Sequence, residues 1–183
     1  HEYEQLERLL TGDYATEERI LLDVEVIKED GSKHYLAVND AVVARGQLSK
    51  TIDLHLSLDG DEISKYRADG LLFATPTGST AYSLSAGGPI LAPKMECILM
   101  TPVCPHSLFS RSVLFSGESE LSVHVKIPEE CCCVLTIDGE KNVPILATDR
   151  VVIRKSDLKL KLALLHNRNF YKLLNEKLKE RDF

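Results

Sequence analysis

Directly after the apolar run Leu71 to Ala74, the chain reads Thr-Pro-Thr-Gly-Ser-Thr-Ala-Tyr-Ser-Leu-Ser-Ala-Gly-Gly-Pro from Thr75 to Pro89. Four hydroxyl side chains, those of Thr77, Ser79, Thr80 and Ser83, fall within seven residues, with Gly78, Ala81 and Tyr82 among them. Such a segment makes a poor core and a good grip on a polyhydroxylated ligand. The spacing predicts a short helix from about Thr80 to Ala86, ended by Gly87, Gly88 and Pro89. A helix start leaves backbone N–H groups without partners, and its dipole favours electron-rich groups there. Thr77 or Ser79 is placed to cap it through a side-chain oxygen, and Gly78 permits a sharp turn and a close ligand approach. Ser79, Tyr82 and Ser85 stand three apart and would share one helical face. The alternative is an ordinary capped helix that packs Tyr82 and Leu84 into the core.

A second group with chemical potential is Asn39-Asp40, between the apolar runs Tyr35 to Val38 and Ala41 to Val43. A carboxylate accepts from two vicinal hydroxyls, and an amide both donates and accepts, so the pair suits a base edge and a ribose diol. Asn and Asp are also common turn residues, and a plain turn or bulge is the alternative. Asp69, before Gly70, has the same two readings. His106 lies in a loop with Pro102 and Pro105, and a simple loop position is expected for it; the other histidines read as surface or strand positions.

The elements that must position these groups are mostly short strands. Tyr3, Leu6, Leu9 and Leu10 recur at helical spacing before Gly12. Period two then takes over, with strands expected from Arg19 to Lys28 and Lys33 to Val38 around the turn signal Asp30-Gly31. Ile52, Leu54, Leu56 and Leu58 alternate with polar residues up to Asp59-Gly60, and a shorter strand precedes Asp69. Further strands are expected at Ser112 to Ser116, Glu120 to Ile127, Cys132 to Ile137, Arg150 to Arg154 and Leu158 to Leu165, with Asp138-Gly139 as another turn. Phe170, Leu173, Leu174 and Leu178 form an apolar helical stripe near the end. The pattern predicts a mainly β fold: a two-layer antiparallel sandwich-like domain with a short central helix and terminal helices. A single domain over 1–183 is expected, since no linker, repeat or low-complexity tract interrupts it.

Bulk properties exclude several classes. The 22 Lys and Arg against 28 Asp and Glu, a net charge of −6, leave no basic patch for nucleic acid or an anionic membrane. No apolar run approaches the roughly 18 residues of a bilayer span. The five cysteines, three of them consecutive at Cys131 to Cys133, make a poor disulfide framework and point to a reducing, cytoplasmic setting. On a strand Cys132 would face away from its two neighbours. Cys97, Cys104 and His106 fit no trusted zinc spacing, and no metal site is expected. The opening at His1 rather than Met points to a fragment of a longer chain.

Taken together, these segments resemble the carboxyl-terminal domain of the NAD kinase family. The matching pieces are Val38 to Ala41, Arg67 to Leu71, Thr75 to Pro89, Thr101 to Leu108, and the final helix with Phe170, Tyr171, Leu174, Lys177 and Leu178. They follow the family's order over almost the whole chain, and the Thr-Pro-Thr-Gly-Ser-Thr-Ala-Tyr string is the specific one. The resemblance implies two packed β-sheets, NAD and ATP as substrates with Mg²⁺ on the triphosphate, and assembly into homodimers or homotetramers. It implies that Asn39 and Asp40 contact the adenosine part, and that Thr77 and Thr80 help hold the adenine. Asp69, Ala81, Tyr82 and Ser85 would line the nicotinamide-riboside side, partly across a subunit interface, with Ser79 also among the NAD-binding residues. The family's usual Glu after the Asn is here Asp40, one methylene shorter with the charge kept.

The family's catalytic Gly-Gly-Asp-Gly string, whose Asp activates the ribose 2′-hydroxyl, does not occur in these 183 residues, so no catalytic residue is assigned here. The implied activity is transfer of the ATP γ-phosphoryl group to that hydroxyl of NAD, giving NADP, with this chain as the substrate-binding part and inactive alone. Two rivals stand beside it: a diacylglycerol-type lipid kinase, and a non-catalytic module that binds or senses NAD(P).

Overall fold

The computed structural model describes residues 2–46, 51–107, 110–126, 132–165 and 169–180. Expectations attached to His1, Leu108, Ile127, Cys131, His166 and the side chain of Leu178 lie outside the described residues. The chain divides into two compact units, His1–Arg19 with Leu160–Phe183, and Ile20–Lys159.

The larger unit holds nearly all of the sheet structure. In chain order the strands are β1 (Ala15–Lys28), β2 (Gly31–Ala37), β3 (Asp40–Arg45), β4 (Ile52–Leu58), β5 (Asp61–Ala68) and β6 (Gly70–Ala74). They continue with β7 (Cys97–Val103), β8 (Val113–Ser116), β9 (Leu121–Lys126), β10 (Cys133–Ile137), β11 (Lys141–Ile145) and β12 (Arg150–Leu164). One six-stranded sheet has the order β2-β1-β12-β9-β4-β5, the other β11-β10-β3-β6-β7-β8. Asp59 and Gly60, and again Asp138 and Gly139, have positive φ at both positions, the backbone that a tight hairpin between right-twisted strands requires.

Alternation fixes which face is buried. Ile52, Leu54 and Leu56 of β4, and Leu121, Val123 and Val125 of β9, join Leu71 and Phe73 of β6 and Ile98 and Met100 of β7 in one core. The intervening residues Leu72, Ala74, Cys97 and Leu99 form a second apolar cluster with Val42 and Leu91. The central strands β3, β6 and β7 of the second sheet are therefore largely buried on both faces, which is why Leu71 to Ala74 are apolar without a break.

Three strands are not expected as such from the sequence: β3, which holds the apolar run Ala41 to Val43, β7 and β11. In β7 both faces are buried and Pro102 interrupts the pattern; β8 pairs only with Cys97 to Met100, so the strand has one neighbour at the proline. In β11 Pro144 is tolerated because this is an edge strand. The two strands expected at 150–154 and 158–165 form one, β12.

The smaller unit contains α1 (Glu2–Thr11) and α3 (Phe170–Glu180). Tyr3, Leu6 and Leu10 of α1 are exposed, and Arg8 donates to the Asp13 carboxylate at 3.0 Å and the Leu165 carbonyl at 2.5 Å. The Asn169 side chain accepts from the Tyr171 N–H at 2.9 Å, capping α3.

Candidate functional site

The Asn39-Asp40 pair is the corner between β2 and β3, and a residue far along the chain holds it. The Asp138 carboxylate accepts from the backbone N–H groups of Val38 at 2.8 Å, Asn39 at 2.7 Å and Asp40 at 3.0 Å. In return the Asp138 N–H donates to the Asp40 carbonyl at 2.9 Å. Asp138 can reach because β10 pairs with β3, with Ile137 opposite Ala41. On the other side, the Thr75 N–H donates to the Asn39 carbonyl at 2.9 Å and its hydroxyl to the Val38 carbonyl at 2.7 Å. A Cβ added to Gly78 would overlap the Asn39 backbone, so only glycine lets the two segments come this close.

The Thr75–Pro89 segment differs from the single helix expected over Thr80 to Ala86. A 3-10 turn over Gly78–Thr80 ends at Ala81, whose backbone (φ −92°, ψ −128°) is not helical, and α2 (Tyr82–Ser85) follows. No side-chain cap forms at Thr77; the hydroxyl of Thr75 instead accepts from the Gly78 N–H at 3.0 Å. The break at Ala81 also removes the common face expected for Ser79, Tyr82 and Ser85. Ser79 is fully buried, its hydroxyl donating to the Pro76 carbonyl at 2.6 Å and accepting from the Leu91 N–H at 3.1 Å. Tyr82 is 48% exposed, and the buried side chain of α2 is Ser83, not Tyr82 or Leu84. Ser83 shares a hydrogen bond of 3.2 Å with Thr101.

A cavity of about 420 Å³ opens at this junction, within the size range of small-molecule sites. Asn39 and Asp40 line it from the corner, and Ala81 and Tyr82 from the turn. Val42 and Ala44 of β3 add an apolar surface, and Thr136, Asp138 and Gly139 come from the β10–β11 hairpin. Asp40 is only 4% exposed, and its carboxylate has no hydrogen-bond or ion-pair partner among the described residues. Burial, reinforced by the charge of Asp138, pushes its carboxyl up to about 6.

Of the residues expected to bind ligand, the structure thus brings Asn39, Asp40, Ala81 and Tyr82 to one cavity. Asp69 stands between β5 and β6, its carboxylate 2.8 Å from the Arg45 guanidinium. Thr77 and Thr80 stay within the turn, the Thr80 hydroxyl donating to the Thr77 carbonyl at 3.3 Å, and Ser85 is exposed on α2. Thr75 and Asp138 went unrecognised. Thr75 was hidden by its place before a proline. The sequence presents Asp138 as one half of an Asp-Gly turn, which accounts for its backbone and says nothing of its carboxylate.

Among the described residues there is no group of three or more His, Cys, Asp or Glu side chains able to hold a metal ion. Cys97 and Cys133 are buried, and burial pushes the Cys133 thiol up to about 12; Cys104 and Cys132 are exposed. Cys132 and Cys133 thus face opposite ways, as strand alternation requires. No helix of the described residues is long and apolar enough to cross a membrane.

Residues 38–165 match the family described as ATP-NAD kinase C-terminal domain. An NAD kinase of Natranaerobius thermophilus is 40% identical over 94% of this chain and 60% of its own length. One of Magnetococcus marinus is 40% identical over 96% of this chain and 58% of its own length. The chain therefore spans about 60% of the length of the curated relatives it matches. Among solved structures, yeast NADH kinase complexed with NADH superposes with a TM-score of 0.87 at 27% identity, covering 97% of this chain and 54% of that one. An Archaeoglobus fulgidus NAD kinase in complex with ATP gives a TM-score of 0.78 at 27% identity, covering 94% of this chain and 64% of that one.

Proposed function

This chain belongs to the NAD kinase family through its carboxyl-terminal domain, and from that membership we propose that it holds the dinucleotide for an enzyme that phosphorylates NAD. The reaction moves the γ-phosphoryl group of ATP to the 2′-hydroxyl of the adenosine ribose and yields NADP. Phosphoryl transfer depends mainly on positioning and charge neutralisation. In this reading the chain supplies the positioning: Asn39 and Asp40 take the adenosine part, and Thr77 and Thr80 lie toward the adenine. Asp69, Ala81, Tyr82 and Ser85 serve the nicotinamide-riboside side, partly through a second copy in a homodimer or homotetramer. Because Ala81 and Tyr82 share a cavity with Asn39 and Asp40, they also bear on the adenosine end. Ser79 contributes from within, by bracing the turn with its buried hydroxyl. Mg²⁺ enters with ATP as substrate, and the setting is cytoplasmic.

The observation that supports this most is Asp40. Asp40 is almost fully buried at the cavity and its carboxylate has no partner among the described residues, a costly arrangement that donors on a ligand would relieve, and two vicinal ribose hydroxyls are such donors. The lipid-kinase alternative is less well supported, since an acyl chain on the Val42 and Ala44 surface would leave the Asp40 carboxylate unmet.

Titration calorimetry with NADP at pH 8 and high protein concentration tests the reading. Saturable heat is expected; no heat, together with no protection in hydrogen exchange, would end it. Asp40→Ala should weaken binding at least about tenfold, the loss of a charge-assisted hydrogen bond, while the exposed Cys132→Ala leaves it unchanged. Equal effects would mean that the site is elsewhere. Phosphoryl transfer by the 183-residue chain alone should be undetectable, because it has no Gly-Gly-Asp-Gly string.

A further inference from the structure

The Asn39–Asp40 corner contains two carboxylates in opposite circumstances. The negative charge of Asp138 is met by three backbone N–H groups, whereas that of Asp40 is met by none among the described residues. Both line the same cavity. The first carboxylate thus fixes the backbone that carries the second, while opposing its ionisation.

We propose that Asp138 is a positioning residue of the dinucleotide site, whose carboxylate locks the Asn39–Asp40 corner and whose charge adds to burial in opposing the ionised Asp40 that accepts from the ribose diol. This rests on the functional reading given above. The groups facing Asp40 are few. From β10 and its hairpin come Thr136 and Asp138, from α2 Tyr82, and from β6 and the turn after it Ala74 and Thr75. Asp138 is the one acidic group among them and Tyr82 the other titratable one. Among the described residues no Lys, Arg or His lines the cavity to offset the pair. Burial with Asp138 alongside moves the Asp40 carboxyl up to about 6, so the acceptor form fades on mild acidification.

The test follows the Asp40 side-chain carbon by NMR in the ligand-free chain from pH 4 to pH 8, alongside calorimetry with NAD. NAD is the probe because the 2′-phosphate of NADP itself titrates near pH 6. The wild-type midpoint is expected near 6, with NAD affinity about tenfold weaker at pH 5 than at pH 7.5 as the competent fraction falls. Asp138→Asn should lower the midpoint by about one pH unit, whereas Asp138→Glu, which keeps the charge, should leave it near the wild-type value. A midpoint that does not move in Asp138→Asn, or a wild-type midpoint in the ordinary carboxylate range, overturns the proposal. Should Asp138→Asn fail to fold, amide exchange in the wild type still judges it. The N–H groups of Val38, Asn39 and Asp40 must be protected, and exchange as fast as in an open loop overturns it. Absence of heat with NAD at every pH would instead sink the functional reading and leave the titration and exchange results standing.

Discussion

Asp40 titrates near 3.8 in an unfolded chain and near 6 in the folded protein, with burial the larger cause and Asp138 the second. Between those values the folded state holds more protons than the unfolded one. Stability therefore falls as the pH rises through that window and stays lower above it. The gap is worth about 2 to 3 kcal/mol. Asp40→Asn is accordingly expected to stabilise the ligand-free protein by about 2 kcal/mol at pH 8 and by little at pH 4, while weakening NAD binding. Urea unfolding at the two pH values checks this; a variant less stable than wild type at pH 8 would mean that the ionised carboxylate has an unseen partner. Asn39 and Asp40 were legible in the sequence because two polar residues interrupt apolar strands. Asp138 was not, because its role depends on contacts with residues up to 100 positions away.

At the scale of the element, the Thr75–Pro89 segment acts as a buttress more than as a helix. Its location was readable from the density of Gly, Ser and Thr, but that composition suggested a poor core, whereas Thr75, Ser79 and Ser83 are buried with their hydroxyls hydrogen-bonded. Its internal geometry was not readable, because three-residue spacing assumes a continuous helix and the backbone breaks at Ala81. The hydroxyls are consequently divided: that of Ser79 points inward, while Ser85 is exposed on α2. Thr75→Val removes the donor to Val38 and the acceptor for Gly78, and should cost about 1 to 3 kcal/mol. Thr75→Ser keeps both bonds and should lose less. Gly78→Ala forces a methyl group into the Asn39 backbone and should cost about 3 kcal/mol, with loss of NAD binding. Thermal unfolding with NAD calorimetry reads all three; a Gly78→Ala variant that binds normally would show that the two segments need not touch.

For the whole molecule, the two-sheet architecture was visible in alternating apolar residues and Asp-Gly turns, and the strands missed were those the alternation cannot report. β7 is apolar on both faces, and Pro144 disguises the edge strand β11. The same double burial makes the central strands of the second sheet intolerant of truncation. Phe73→Ala, at a side chain with no exposure, should cost about 3 to 5 kcal/mol, whereas Leu114→Ala, 48% exposed on β8, should change stability by less than about 0.5 kcal/mol. Chemical denaturation distinguishes them, and similar losses would contradict the burial. The hairpin carrying Asp138 has a further consequence, for biosynthesis. Asn39 leaves the ribosome 99 residues before the carboxylate that fixes its backbone. Over those 99 residues of synthesis the nascent chain therefore carries an unfinished corner, and the proposed dinucleotide site is complete only once β10 and β11 have been made and have docked beside β3.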